Sequence, residues 1–163
     1  MTMATLPIAI TQGDPAGIGP EIIAKAFRDA PDVTRGCFVA GDVATLRRAA
    51  KIITGPGQVG LPVAEIRTAS EALEVPPRCI PVLPVLQAPE LVQVGVISAS
   101  AGRMAADCVT WAARAALRGD IAALVTAPLH KEALAAAGVD FPGHTELLQA
   151  EAAAFLGKSI HDV

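Results

Sequence analysis

Short apolar runs alternate with longer amphipathic stretches along this chain, and glycine or proline separates most of them. Leu6 to Thr11 reads as a buried strand. A turn rich in glycine and proline follows, Gly13 to Glu21, and Pro20 suits the first position of a helix that Pro31 stops after Ala30. Cys37-Phe-Val-Ala40 predicts a second strand, and Asp42 an N-cap for a helix from Val43 to about Ile53. Val63 to Thr68 predicts a strand, as does Cys79 to Leu86, whose Pro81 and Pro84 place it at an edge or a bulge. From Ser100 to Leu117 an apolar stripe runs between Arg103, Asp107 and Arg114, predicting a helix that Gly119 ends. Ile121 to Val125 predicts a fully apolar strand and Glu132 to Ala137 a short helix. Thr145 or its neighbour is expected to cap a last helix reaching Phe155. This order predicts an α/β fold with a parallel sheet and crossover helices.

Three stretches can carry chemistry, each at or just past the carboxyl end of a strand or at a helix start. Gly13 to Glu21 reads as a strand-to-helix turn with exposed backbone N–H groups at a helix start, where α/β sheets collect ligands; the alternative is a tight structural turn. It is no P-loop, because the helix begins Gly19-Pro-Glu without lysine or hydroxyl. The literal GxGxxG at Gly55 to Gly60 is followed by Leu61-Pro62 and opens no helix, so it reads as a chance match. Asp14 is either a helix-capping or a substrate-facing acid. In Thr126-Ala-Pro-Leu-His-Lys131, Lys131 can meet an anionic substrate, or simply be solvated in a turn. In Pro142-Gly-His-Thr-Glu146, the imidazole of His144 and the hydroxyl of Thr145 converge with free amides at a positive helix end. That arrangement suits phosphate or carboxylate; the alternative is an ordinary helix start with an incidental histidine. His130, His144 and His161 lack metal-ligand spacing, so no metal site is expected within this chain.

Composition works mainly by exclusion. The chain has 163 residues, enough for one domain with a core or for part of a larger protein. Hydrophobic residues are 52%, charged residues 18% and the net charge is -3, which gives no electrostatic case for nucleic acid or an anionic membrane. Apolar stretches are broken before they could span a bilayer. Met1 to Pro7 lacks the basic start and apolar run of a signal peptide, so a cytoplasmic protein is expected. Cys37, Cys79 and Cys108 form no CxxC pair and read as reduced thiols. Aromatic residues are 3%, too few for base-stacking platforms.

Together, "ITQGDPAGIGPEI", "ALVTAPLHKEAL" and "GVDFPGHTELL" resemble the 4-hydroxythreonine-4-phosphate dehydrogenase family of vitamin B6 biosynthesis. The resemblance runs from Leu6 to about Gly157 and is only general between residues 55 and 95. It implies an α/β/α sandwich like the isocitrate and isopropylmalate dehydrogenases, here incomplete at the carboxyl end. Residues 1–163 would be the amino-terminal portion of a two-domain homodimeric dehydrogenase. It implies NAD or NADP and a divalent metal ion (zinc, magnesium or cobalt), with oxidation of 4-phosphohydroxy-L-threonine followed by decarboxylation. His144 and Thr145 would contact the phosphorylated substrate, and Asp14 and Lys131 would belong to the active-site loops. The family's metal-binding histidines lie in later segments; His161 is close to the first of them but in no matching motif. Related expectations are a dehydrogenase for a four-carbon sugar-acid phosphate or a dihydrodiol, and a non-catalytic anion-binding module. A fragment of such a protein should expose an apolar face.

Overall fold

Five apolar runs become strands of one sheet, and the amphipathic stretches between them become its helices. The computed structural model describes residues 5–86 and 90–163; part of the amino-terminal stretch that reads as lacking a leader therefore lies outside the described residues. The strands are β1 (Ile8–Thr11), β2 (Cys37–Gly41), β3 (Val63–Glu65), β4 (Ile80–Pro84) and β5 (Ala123–Thr126). They lie in the order β3-β4-β2-β1-β5, and every pairing is parallel. The helices are α1 (Gly19–Asp29), α2 (Val43–Ile52), α3 (Ala99–Leu117), α4 (Lys131–Ala136) and α5 (His144–Leu156).

Because side chains alternate along a strand, the sheet has two apolar faces. Ile8, Ile10, Val39, Ile80 and Val82 pack with Phe27 of α1 and Leu46 of α2. Ala9, Phe38, Ala40 and Leu83 face the other way, onto Ala112 and Ala115 of α3. Helices thus cover both faces, as the expected α/β/α sandwich requires. Phe38 is fully buried and meets Trp111 edge-to-face, with ring centroids 6.1 Å apart. Truncating it to alanine would cost about 3–5 kcal/mol. Outside α3, Leu134 of α4 and Leu147 of α5 pack on Ala106 and Val109. Gly102 lets α3 and α4 touch, since a Cβ there would overlap the Ala133 carbonyl.

The caps explain most boundaries. Asp42 Oδ2 accepts from the Thr45 amide at 2.8 Å, as its position predicts. Ser98 Oγ accepts from the Ala101 amide, so α3 starts one residue before the predicted Ser100. Gly119 follows α3 at φ +79°. Thr145, in contrast, caps nothing: Gly143 holds the cap position of α5, no side chain bonds the first amides, and Thr145 lies inside the first turn.

Two strand expectations are corrected. β3 ends at Glu65 rather than Thr68, and residues Ala69–Leu73 form a 3-10 turn. β4 is no edge strand; it lies between β3 and β2. Alternate residues send their amides to opposite neighbours, and Ile80 N–H donates to Pro62 O on the β3 side. The Pro81 nitrogen therefore faces β2, whose ladder begins only at Val82. The Pro84 nitrogen faces β3, whose ladder has already ended at Glu65. Each proline sits where no amide is needed. The edges are β3 and β5, and β5 exposes Val125 to 52%. Phe155 and Leu156 of α5 are also exposed.

Candidate active site

β1 and β5 run side by side, with Thr11 opposite Thr126, so their exit loops meet at the carboxyl end of the strands. The turn after β1 is held there by its own backbone. Asp14 N–H donates to Pro128 O at 2.9 Å, and Ala127 N–H donates to Thr11 O at 3.3 Å. Gly13 has φ +71°, and a Cβ on it would lie 2.5 Å from Pro128 O. A Cβ on Gly19 would lie 2.8 Å from Gln12 O and 3.2 Å from the Ala127 Cβ. The glycines make room for the Ala127-Pro128 segment. The expectation that this turn presents its backbone to a ligand is met at neither position, because the chain itself occupies the space.

His144, the first residue of α5, stands beside the same segment. Its ring is partly buried, and burial pushes its pKa below the ordinary 6.5, while the nearby Ala127 carbonyl pulls the other way. That carbonyl is not at hydrogen-bonding geometry with His144 Nε2, which is buried and has no partner. Thr145 and Glu146 are exposed beside it. The first amides of α5 have no side-chain cap and keep donors to spare. A carboxylate already stands close: Glu146 Oε2 is 3.5 Å from where a Gly143 Cβ would be. The opening turn, the β5 exit loop and the mouth of α5 thus converge around Ala127.

Asp14 and Lys131 differ in placement. Asp14 is 6% exposed, and its Oδ1 accepts from the Ala16 amide at 2.8 Å. It shapes the turn and caps no helix; the cap of α1 is Ile18, with no side-chain bond. Lys131 is the exposed first residue of α4 and forms no ion pair among the described residues.

Sequence reasoning passed over Thr11, Gln12 and Arg48, and weighed His130 only as a metal ligand. Gln12 is fully buried; its Oε1 accepts from the Asp42 amide at 2.8 Å and its Nε2 has no partner. Thr11 Oγ1 and His130 Nδ1 are likewise buried without partners. Arg48 reaches from α2 to the carbonyls of Pro15 and Val92, tying two loops together. The available signal was polar Thr-Gln ending an apolar strand directly before a glycine.

Among the described residues, no three His, Cys, Asp or Glu side chains come together to hold a metal ion. Nor do the glycines form a dinucleotide cradle. Gly13 and Gly19 are filled by backbone, and Gly55 to Gly60 lead into β3 rather than a helix.

A family profile described as pyridoxal phosphate biosynthetic protein PdxA matches residues 33–158. The chain belongs to the PdxA family. That PdxA match includes the β5 exit loop and the mouth of α5 but begins after the opening turn. The D-threonate 4-phosphate dehydrogenase of Salmonella typhimurium is 47% identical over 156 residues, covering 90% of this chain and 44% of that protein. The 4-hydroxythreonine-4-phosphate dehydrogenase of Beijerinckia indica is 43% identical over 148 residues, covering 91% and 42%. A crystal structure of the Klebsiella pneumoniae 4-hydroxythreonine-4-phosphate dehydrogenase superposes with a TM-score of 0.79 at 40% identity, covering 90% of this chain and 44% of that one. These PdxA-type relatives are oxidoreductases of the same α/β fold, and this chain spans less than half the length of each.

Proposed function

We propose that this chain is the amino-terminal, phosphate-holding portion of a two-domain dehydrogenase for a four-carbon acid 4-phosphate. Its leading substrate is 4-phosphohydroxy-L-threonine, oxidised at the C3 hydroxyl and then decarboxylated. The observation that carries this reading is the mouth of α5, where uncapped amides and the unpartnered His144 Nε2 lie within the PdxA-matching stretch. There the amides and the Thr145 hydroxyl take the phosphate. His144, kept neutral by burial, hydrogen-bonds the substrate without competing for its charge. Lys131 adds positive potential to the rim, and Asp14 holds the turn that backs the site.

The reading brings with it a nicotinamide cofactor, NAD or NADP, a divalent ion such as zinc, magnesium or cobalt, and a cytoplasmic homodimer. The described residues supply neither the metal ligands nor the dinucleotide cradle. Hydride transfer needs donor and acceptor fixed together, because small misplacements cost orders of magnitude. The 163 residues alone are therefore expected to bind substrate weakly and to show no turnover in a reduced-nicotinamide absorbance assay.

A second reading has its own support: the 47% identical relative is named for D-threonate 4-phosphate. The two substrates share the 4-phosphate and differ at C2, amino against hydroxyl. Calorimetric titration of this chain with both compounds and with unphosphorylated 4-hydroxythreonine tests the site. Phosphorylated compounds should bind at least tenfold tighter, and His144→Ala with Thr145→Val should erase that advantage. Equal binding of the unphosphorylated compound would sink the proposal. Thermal stabilisation of a full-length protein by each phosphorylated compound would then choose between the substrates.

A further inference from the structure

At the opposite end of the strands, around the amino ends of β2 and β4, lies a cavity of about 260 Å³. Phe27 of α1, Leu73 at the end of the 3-10 segment and Val75 just after it form apolar wall. Four lining residues are proline, including Pro76 and Pro77 directly before Arg78. Proline fixes φ, so this wall is set before any ligand arrives, and little ordering remains to oppose binding.

The rim is cationic. Arg35 and Arg78 border the cavity with a single acid, Asp32. Neither guanidinium takes part in an ion pair among the described residues. The neighbouring Asp29 is already held by Arg28 through two bonds of 2.7 and 2.9 Å. Arg78 is also the one non-glycine residue with positive φ, +59°, among the described residues. A side chain persists in that region only where its surroundings hold it, and such outliers concentrate at ligand clamps.

Apolar walls select a ligand with a hydrocarbon body, and two unpaired guanidiniums select a carboxylate. The volume falls below the roughly 300–1,000 Å³ of drug-sized ligands, so the occupant is small. We propose that this cavity binds a small organic carboxylate with an apolar body, about the size of benzoate, at a site separate from the mouth of α5.

Methyl NMR of the 163-residue chain, titrated with benzoate and separately with inorganic phosphate, tests this. Benzoate should shift the Leu73 and Val75 methyls saturably and leave Leu134 and Leu147, packed outside α3, unmoved. Phosphate should leave the Leu73 and Val75 methyls unmoved. Arg78→Gly accepts the positive φ and so keeps the fold; it should weaken benzoate binding at least fivefold. Equal benzoate shifts at Leu134 and Leu147, saturable phosphate shifts of the Leu73 and Val75 methyls, or undiminished benzoate binding to Arg78→Gly would each overturn the proposal.

Discussion

The opening turn and the mouth of α5 each place glycine before a helix, yet one is closed and the other open. In the turn, the space beside Gly13 and Gly19 is taken by Ala127 and Pro128. The Asp14 amide, its carbonyl and its Oδ1 all find partners nearby. At α5, Gly143 has an extended backbone with φ -173°, and a Cβ there would meet only Glu146 at an ordinary distance. The first amides are uncapped and His144 Nε2 is unpartnered. Glycine therefore marks close approach without saying what approaches. Leftover donors are the better sign of a ligand, because only there can one add bonds that the protein has not already made.

Substituting the glycines is the most forceful way to break that contrast. Gly13→Ala puts a methyl group into the Pro128 carbonyl and forces an L-residue into the left-handed region. Strain and overpacking together should cost about 3 kcal/mol or more. Gly19→Ala should cost a comparable amount, because the nearest atom is the Gln12 carbonyl oxygen at 2.8 Å. Gly17→Ala, with nothing nearer than 3.5 Å, and Gly143→Ala should each stay within about 1 kcal/mol. Urea unfolding midpoints measure all four. A tolerated Gly13→Ala would mean that the turn is looser than its contacts imply.

The same contrast sets what the sequence could reveal. The strands, both layers of helices and the caps at Asp42 and Gly119 were legible, because they rest on local periodicity and on single-residue preferences. The position of β4 was misread from Pro81 and Pro84, since the rule that confines proline to edges concerns amides, and both nitrogens fall beyond the end of a ladder. At the site, His144 and Thr145 were readable as a helix start with spare donors. The filling of Gly13 by Pro128 was not, because the two are more than a hundred positions apart in the chain and only the β1–β5 pairing joins them. Gln12 was missed for the same reason: its partner, the Asp42 amide, belongs to the next strand's exit loop.

A smaller effect sharpens the comparison through charge. Glu146 stands at the mouth of α5, where it favours the helix dipole but opposes an incoming phosphate. Glu146→Gln should lower stability by about 0.3–1 kcal/mol while tightening inorganic phosphate binding roughly threefold, an opposite sign for the two readouts. Asp14→Asn, in the closed turn, should leave phosphate affinity unchanged. Phosphorus NMR titrations would show it, and an affinity gain from Asp14→Asn instead would reverse the roles of the two regions.

The weakest expected effect is the pH response of His144. Its folded pKa lies below the ordinary 6.5 because burial disfavours the charged ring. The unfolded chain therefore binds more protons over the window between the two values, and stability rises with pH across it. Above about 6.5 the neutral ring is buried without penalty; as pH falls through the folded pKa, that advantage is lost. His144→Gln should flatten the acid limb of a plot of unfolding midpoint against pH and leave the alkaline limb alone. A bound phosphate works against burial, since a dianion at the helix mouth favours the protonated ring and raises its pKa. Saturating phosphate should thus move the His144 titration, followed by its ring-proton shifts, to higher pH. A His144 titration indifferent to phosphate would place the anion somewhere other than the mouth of α5.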